Sequence, residues 1–421
     1  MRGAPRSAVL ELAEAACVNP AAQYRVIDLG ALSCPNGHCG VGNVNDSCEV
    51  AGYDENAMSN DFGIVWQPTP SGVWTKVTLP PPTLQYAQSA TPPWAQKTGG
   101  AATSFRAFTI NNAGEVIGLG KGPRNEAVLW WMRAAPDRPG IASGSAPVGA
   151  YLGGLPNPGP ASEGYGINNL PQAVGNSKNM VPTVAYRWSA ASGMTSLGLL
   201  PNNGSAPTGA VAIDDRGDIV GDANVTVAGS AAPTTHAFFW DPSTTTMLDL
   251  GDLPGGQDIS HGAAVMNSGS FGPLVVGTSG VSGGGHAFRW QPSTGLIDLP
   301  GLANGSSGAN AVGAFSGIVG YSVSGSNKIA TGWPLLDLAN ATKTTPVDLN
   351  TVVAPNPSIG TFTIEEATGV NTIAMIAAIG RVTAGGTSTK HGFLLVPSFD
   401  DLPLPFGTSF FQADCGRPAP G

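Results

Sequence analysis

A repeated pattern of four short apolar runs constrains this chain more than any other feature. The clearest copy covers 209–254, where the runs AVAI, DIVGDA, HAFFW and TMLDL are separated by turn-forming residues. Short runs that are rich in β-branched and aromatic residues and end at Gly, Pro, Asn, Asp or Ser are typical of strands joined by tight turns. The segment therefore predicts one four-stranded antiparallel sheet.

The pattern recurs along the chain in seven units. The glycine that ends the second run marks each unit, at Gly52, Gly118, Gly175, Gly221, Gly277, Gly320 and Gly380. These glycines are on average about 55 residues apart, near the longer periods found in propeller blades. Because a single sheet of this size cannot bury both of its faces, the units must stack in a row or close into a ring.

The two ends of the chain favour a ring. The seventh unit has its third run, GFLLV, but no fourth run, whereas Tyr24 to Leu32 resembles a fourth run and precedes the first unit. An N-terminal strand that completes the last blade would remove exposed sheet edges. We predict an all-β fold, a seven-bladed β-propeller of four-stranded antiparallel blades over 24–397, with an extension over 1–23 and a tail over 398–421. An open solenoid is the alternative.

The repeat resembles a known family. The His-Ala-Phe triplets at His236 and His286, the Asp-Leu-Gly strands and the Asn/Asp turns before Gly-x-Val-x-Gly are similar to those of bacterial extracellular HAF-repeat proteins. The resemblance covers nearly all of 24–397. It implies an exported repeat protein, and it brings no catalytic motif.

The distribution of charge argues against nucleic acid as a partner. Net charge is −9 and the 19 Lys and Arg are scattered, so the chain lacks the basic stripe that binds nucleic acid.

No run of 18 apolar residues is present, so we predict no membrane span. Residues 1–16 lack the apolar core of a signal peptide. We nevertheless predict an extracellular or cell-surface location from the resemblance and the polar composition, with a cytosolic location as the alternative.

The cysteines predict disulfide bonds. The chain has five: Cys17, Cys34, Cys39, Cys48 and Cys415. A closed ring brings its two ends together, so we expect a bridge between Cys17 and Cys415 and a second bridge within the other three. The alternative is a zinc site formed by Cys34, His38, Cys39 and Cys48, although this spacing matches no common zinc motif.

Residues that recur at one position in several units are expected to have structural roles. Tryptophans in the third runs are predicted to pack in the core: Trp66, Trp131, Trp188, Trp240, Trp290 and Trp333. His236, His286 and His391 share another position, and we predict that they form hydrogen bonds at strand starts rather than bind a metal. The Asn/Asp pairs before glycine are predicted to shape hairpin turns.

One of these turns has a second interpretation. Asp214, Asp215 and Asp218 gather three carboxylates in one loop, and carboxylate oxygens are the ligands that calcium prefers. The spacing lacks the frame of an EF-hand. Calcium is therefore the alternative to a turn role, and the sequence predicts no other cofactor.

Residues outside the repeat are better candidates for binding. An insertion over 80–102 carries Tyr86 and Trp94, and Trp74 also lies outside the repeated positions. An insertion of this length suggests a functional loop, and aromatic rings provide large apolar contact surfaces. We predict that Tyr86, Trp94 and Trp74 contact a ligand.

Together, these features predict a secreted, non-catalytic binding or structural module at the cell surface or in the extracellular matrix. It would bind an extracellular glycan or protein, or assemble with itself. No nucleophile elbow, His-Glu-x-x-His helix or phosphate-binding loop is present. The alternative is a propeller enzyme that acts on an extracellular glycan, with Asp252, Glu163 and Asp258 as candidate acids.

Overall fold

A computed structural model describes most of the chain. The described residues are 24–69, 71–86, 94–96, 102–122, 124–133, 147–155, 161–178, 183–200, 208–226, 233–267, 272–282, 284–313, 317–334, 345–397 and 415. In these ranges, no helix is long and apolar enough to cross a membrane. The predicted extension over 1–23 and most of the tail lie outside the described residues.

The described residues form thirty strands and two short 3₁₀ helices, Leu302–Asn304 and Leu349–Thr351. The strands are β1 (Tyr24–Ala31), β2 (Gly40–Val44), β3 (Val50–Glu55), β4 (Asp61–Pro68), β5 (Trp74–Thr78), β6 (Leu84–Tyr86), β7 (Trp94–Gln96), β8 (Ser104–Ile110), β9 (Glu115–Lys121), β10 (Glu126–Trp131), β11 (Val148–Tyr151), β12 (Ser162–Ile167), β13 (Ala173–Ser177), β14 (Val184–Ser189), β15 (Gly193–Gly198), β16 (Thr208–Ile213), β17 (Ile219–Val225), β18 (Thr234–Asp241), β19 (Thr246–Asp249), β20 (Ser260–Asn267), β21 (Pro273–Val281), β22 (Gly284–Gln291), β23 (Gly295–Leu299), β24 (Ser307–Gly313), β25 (Gly317–Ser324), β26 (Asn327–Trp333), β27 (Val347–Asp348), β28 (Thr361–Val370), β29 (Ile376–Ala384) and β30 (Thr387–Pro397).

The strands form seven antiparallel blades, as predicted. Blades 1 to 6 contain β2–β5, β8–β11, β12–β15, β16–β19, β20–β23 and β24–β27, each in chain order. Blade 7 contains β28, β29 and β30, and β1 pairs with β30 as its outer strand, with Tyr24 opposite Pro397 and Ala31 opposite His391. The prediction that the N-terminal strand completes the last blade is confirmed.

The first strand of each blade lies nearest the ring axis. The first strands of blades 1 to 7 contact one another in order, and β28 of blade 7 contacts β2 of blade 1. This closes the ring and excludes the open solenoid. We call the end of the central channel where these strands begin the upper mouth, and the end where they turn into the second strands the lower mouth.

The hydrophobic core is divided among the seven interfaces between neighbouring blades. Each interface has its own cluster of buried apolar side chains. The third-strand tryptophans are all buried, at 0–6% exposure: Trp66, Trp131, Trp188, Trp240, Trp290 and Trp333. Their predicted core role is confirmed, because two sheets packed face to face must fill the space between them with large apolar side chains.

A close backbone approach explains the repeated glycine. In every blade the first strand has a β-bulge opposite the start of the second strand. At Gly221 a Cβ atom would lie 1.9 Å from the carbonyl oxygen of Gly209, and at Gly175 it would lie 1.8 Å from that of Glu163. Only glycine fits against a backbone atom at this distance.

The insertion after blade 1 is partly ordered into strands. The expected loop over 80–102 contributes β6 and β7, which extend blade 2 to six strands. β6 pairs in parallel with β11, where Ala150 lies opposite Leu84. The added strands therefore lie at the outer edge of blade 2, next to β11.

The described residues contain two disulfide bonds, which confirm the predicted bridge within Cys34, Cys39 and Cys48 but show that the predicted bridge between Cys17 and Cys415 is wrong. Cys34 bonds to Cys39, and Cys415 bonds to Cys48 instead of Cys17, which lies outside the described residues. Ring closure brings the ends of the propeller together, but side-chain packing determines which cysteine bonds to Cys415. The sulfur of Cys415 lies 3.4 Å from that of Met375, and its carbonyl accepts a hydrogen bond from Arg25.

Candidate functional site

The lower mouth is built from the repeated Asn/Asp turns. These turns surround a cavity of about 470 Å³, and its lining includes Asn45, Asn111, Asn168, Asp214, Asn267 and Asn371. All seven blades contribute residues to it. The lower mouth is therefore a product of the repeat.

Hydrogen bonds join these turns within and between blades. In blade 2, Oδ1 of Asn111 accepts hydrogen bonds from the amides of Ala113 (3.1 Å) and Glu115 (2.9 Å). Its Nδ2 donates to the carbonyl of Asn168 in the next blade, at 2.9 Å. Asn45, Asn168 and Asn371 form the same bond to their next blades. These residues have the predicted turn role, and they also connect the blades.

Blade 4 departs from this arrangement because it has an aspartate where those blades have asparagine. Oδ1 of Asp214 accepts from the amides of Arg216 and Asp218, as in the other turns. Its Oδ2 is buried without a hydrogen-bond partner among the described residues. Burial and the nearby Asp218 carboxylate raise the pKa of Asp214 to about 6.

The three aspartates predicted as calcium ligands use their oxygens in different contacts. The Asp215 carboxylate accepts two hydrogen bonds from Asn169, and Oδ2 of Asp218 accepts one from Asn267. Within the described ranges, Asp214, Asp215 and Asp218 are not among the groups of three whose ligand atoms all lie within 4.8 Å of one another. Calcium binding here remains a prediction.

The first strands carry, at their bulges, side chains that differ between blades. The bulge of each first strand leaves one or two residues unpaired, and bulges commonly redirect a side chain. The unpaired residue is Phe108 in blade 2, Tyr165 in blade 3 and Val211 in blade 4. Recurrence between blades does not identify this position, because its residue differs from blade to blade. In the sequence, the bulge position is recognisable as one variable residue within a repeated strand.

Blades 1 to 3 form an aromatic cluster that includes two of these bulge residues. The rings of Tyr53 and Phe108 meet edge to face with centroids 6.0 Å apart, and the rings of Phe108 and Tyr165 are 5.5 Å apart. The guanidinium of Arg106 lies 4.8 Å from the ring centre of Tyr53. All four side chains are half-buried. They combine apolar ring surface with a cation.

Two carboxylates flank this cluster. Asp61 is fully buried, and its Oδ2 accepts hydrogen bonds from Arg106 (2.7 Å) and from Lys121. Burial alone would raise the pKa of Asp61, but these two cations outweigh burial and lower it. The site therefore holds an ionised carboxylate whose charge is balanced inside the protein.

Glu163 is the second carboxylate and is held in a similar way. It accepts hydrogen bonds from Lys178 (2.8 Å), Asn125 (2.8 Å) and the Tyr165 hydroxyl (2.7 Å). These contacts outweigh burial and lower the pKa of Glu163. Burial and the hydrogen bond to Glu163 raise the pKa of Tyr165. Its hydroxyl therefore stays protonated and acts as a donor.

Blades 6 and 7 place further ion pairs near the channel. Glu365 pairs with Arg381 and Glu366 with Lys328, each at 2.8 Å. Lys328 also lies 3.7 Å from the ring centre of Tyr321. The neighbouring glutamates thus have separate partners, so they do not form an acid/base pair.

The repeated histidines have the predicted role of hydrogen-bonding residues. His236, His286 and His391 each contact, through Nδ1, an aspartate of the neighbouring outer strand. These aspartates are Asp249, Asp298 and Asp28, at 2.8–2.9 Å. The pairing joins the third and fourth strands of blades 4, 5 and 7.

Blade 4 adds two further aspartates to its histidine. Nε2 of His236 lies 2.8 Å from Oδ1 of Asp258, and Asp252 lies close enough for the three ligand atoms to be within 4.8 Å of one another. Both acids come from the connection between β19 and β20. Of the predicted catalytic acids, Asp252 and Asp258 therefore meet, whereas Glu163 belongs to the separate group described above.

A second group joins a histidine to two acids in blade 1. His38 Nδ1 lies 3.8 Å from Oε1 of Glu55 and 3.9 Å from Oδ1 of Asp61. The alternative zinc site of Cys34, His38, Cys39 and Cys48 is wrong, because all three cysteines form disulfide bonds.

The three aromatic residues predicted to contact a ligand lie on two blades: Tyr86 and Trp94 on the added strands of blade 2, and Trp74 on blade 1. The ring of Tyr86 packs edge to face on Trp188 with centroids 5.3 Å apart, and its hydroxyl donates to the carbonyl of Ala190. Tyr86 thus links the added strands to blade 3. Trp74 is half-buried on β5 beside the core between blades 7 and 1. The side chain of Trp94 lies outside the described residues, although its backbone pairs with Tyr86.

No protein-family model and no curated protein matches this chain. A Trypanosoma rangeli sialidase matches with 10% identity and a TM-score of 0.31, over 89% of this chain and 55% of the sialidase chain. AofleA from Arthrobotrys oligospora matches with 10% identity and a TM-score of 0.33, over 91% of this chain and 96% of AofleA. An arginine-to-alanine triple mutant of AofleA has a TM-score of 0.32. Similarities this weak carry no conclusion about function.

Proposed function

We propose that this protein is a secreted, non-catalytic binding module that holds a hydroxyl-rich ligand, such as a glycan, at the upper mouth of its channel. The observation that carries the proposal is the group of non-repeating side chains on blades 1 to 3: Tyr53, Arg106, Phe108, Glu163 and Tyr165. A residue needed by every blade recurs in every blade, whereas a ligand-binding residue need occur only once.

The chemistry of this group suits a glycan. Aromatic rings offer apolar faces to the C–H surfaces of a sugar, and charged groups form the stronger hydrogen bonds to its hydroxyls. Glu163 and Arg106 are already held by internal partners, so they would bind a ligand with little loss of side-chain freedom. The protonated hydroxyl of Tyr165 favours binding over nucleophilic catalysis.

The two disulfide bonds support an extracellular location, because disulfides persist mainly in oxidising compartments. The resemblance to extracellular HAF-repeat proteins agrees with it. Binding of a protein partner, self-assembly and glycan hydrolysis are the competing functions.

A glycan-array screen with Phe108→Leu and Tyr165→Phe variants tests the proposal. The first change keeps apolar volume but removes an aromatic face, and the second removes one hydroxyl. We expect the wild type to bind a restricted set of glycans and both variants to bind them at least about five-fold more weakly. Phe62→Leu is the matched control, because Phe62 lies on the third strand of blade 1.

Failure of the wild type to bind any glycan would contradict the proposal. Equal loss of binding in Phe62→Leu would show that stability, and not the upper mouth, controls the result. Incubation of each bound glycan with the protein, followed by mass spectrometry, separates binding from hydrolysis.

A further inference from the structure

We propose that His236, Asp252 and Asp258 bind a divalent transition metal of the zinc class, at a site separate from the proposed glycan site. Their ligand atoms, the histidine Nε2 and one oxygen of each carboxylate, lie within 4.8 Å of one another. Zinc–nitrogen and zinc–oxygen bonds of about 2.1 Å place tetrahedral ligand atoms roughly 3.3 Å apart. Small side-chain movements therefore suffice to surround one ion.

The burial of His236 requires a partner for its ring. The residue is only 6% exposed, and among the described residues its ring nitrogens hydrogen-bond to two aspartates, Asp249 and Asp258, with Asp252 close by. In the described part of the chain, no Lys or Arg pairs with Asp249, Asp252 or Asp258. Among the described residues, the imidazole is therefore the one basic group beside these three carboxylates, and a divalent cation would add further positive charge there.

The third aspartate orients the ring for metal binding. Nδ1 of His236 lies 2.9 and 3.1 Å from the two oxygens of Asp249. Without a metal, the 2.8 Å contact between Nε2 and Oδ1 of Asp258 requires a hydrogen on Nε2. A bound metal would replace that hydrogen, so that Nδ1 donates to Asp249 and the lone pair of Nε2 faces the ion. A carboxylate on the far side of a ligand histidine is the usual support of a protein metal site.

The other blades provide an internal comparison. His286 and His391 form the same Nδ1 contact with an aspartate. The Nε2 atom of His391 contacts the hydroxyl of Thr389, and no carboxylate among the described residues contacts that of His286. The connection after blade 5 has no acidic residue over 300–306, whereas that after blade 4 has two. The extra acids thus belong to blade 4 and are not needed for the histidine–aspartate pair.

The group of His38, Glu55 and Asp61 is a weaker metal candidate. Oδ2 of Asp61 already accepts from two cations, Arg106 and Lys121. A divalent ion placed there would lie near two positive charges, so we assign the metal to blade 4.

Calorimetric titration with ZnCl₂ tests the site, after dialysis of the full chain against EDTA and then buffer. We expect the wild type to bind one equivalent, and Asp252→Asn/Asp258→Asn to lose at least about 100-fold in affinity. Asp249→Asn should lose roughly 10- to 100-fold, as is typical for the outer partner of a ligand histidine. Asp298→Asn, which changes the equivalent aspartate of blade 5, should bind as the wild type does.

A spectroscopic measurement covers the case in which a variant does not fold. Zinc should shift the ring resonances of His236 in the NMR spectrum of the wild type and leave those of His286 unchanged. The proposal is overturned if the wild type binds no zinc, if the double variant binds it equally well, or if the His236 resonances do not move.

Discussion

Replacement of Asp214 by asparagine is expected to stabilise the propeller. In blades 1, 2, 3 and 7 the corresponding asparagine donates Nδ2 to the next blade, and we infer that Oδ2 of Asp214 faces the carbonyl of Asn267 in the same way. An ionised carboxylate has no hydrogen to donate there. Asp214→Asn supplies the missing donor and removes a buried acceptor that lacks a partner in the described part of the chain.

The pKa of Asp214 sets the size and pH dependence of this effect. Its value of about 6 in the folded state exceeds the ordinary value of 3.8, so the folded protein binds this proton more tightly than the unfolded chain does. Stability of the wild type should therefore fall as pH rises from about 4 to about 6. A shift of two units corresponds to about 3 kcal/mol. Because Asp214 is partly exposed, we expect a gain of about 1–2 kcal/mol for Asp214→Asn at pH 8 and almost none at pH 4.

Thermal unfolding followed by circular dichroism at pH 4, 6 and 8 measures the effect as a rise in Tm of a few degrees. Asp215→Asn is the matched control, because the exposed Asp215 carboxylate accepts two hydrogen bonds from Asn169 and should gain nothing. A variant that is no more stable than the wild type at pH 8, or a gain that is equal at all three pH values, would refute the reasoning. If calcium occupies this turn, adding it should raise the Tm of the wild type but not of Asp214→Asn.

Three further changes test other parts of the fold. Gly221→Ala should lower the free energy of unfolding by about 3 kcal/mol or more, because the added Cβ would lie 1.9 Å from a carbonyl oxygen. Gly122→Ala is the control, since its Cβ would meet only an ordinary contact at 3.5 Å, and urea unfolding compares the two variants. Cys415→Ser removes a disulfide bond between residues 367 apart and should lower the free energy of unfolding by up to about 6 kcal/mol. Cys34→Ser removes a bond between residues only 5 apart and should lower it by about 2 kcal/mol. Equal shifts in Tm would contradict the view that each bond acts by restricting the unfolded chain. Tyr86→Phe should lower stability by about 1 kcal/mol through loss of its bond to blade 3, and an unchanged urea midpoint would count against that role.

The repeated features of the structure could be predicted because local rules generate them. Short apolar runs and turn residues specify strands in any context, and seven copies specify seven sheets. The N-terminal strand could be assigned to the last blade because the run around Asp28 resembles the fourth strands and that blade lacked one. The roles of the tryptophans and histidines followed from recurrence.

The candidate sites could not be predicted in the same way. Recurrence identifies what every blade needs, but a site depends on which non-repeating residues the ring brings together. Phe108 and Tyr165 are 57 positions apart, yet their rings are 5.5 Å apart because both lie at first-strand bulges of adjacent blades. The sequence predicts that Tyr86 contacts a ligand, and the structure adds that its ring packs on Trp188 of the next blade.

The sequence alone thus determined the number of blades, their strand order and the closure of the ring, because each depends on local pattern and on counting copies. Only the tertiary structure decided the contacts between blades. It paired Cys415 with Cys48, joined His236 to Asp252 and Asp258, and left Oδ2 of Asp214 without a hydrogen-bond partner among the described residues. These contacts depend on distances of a few ångströms between distant segments, and such distances are fixed by how the sheets pack around the axis.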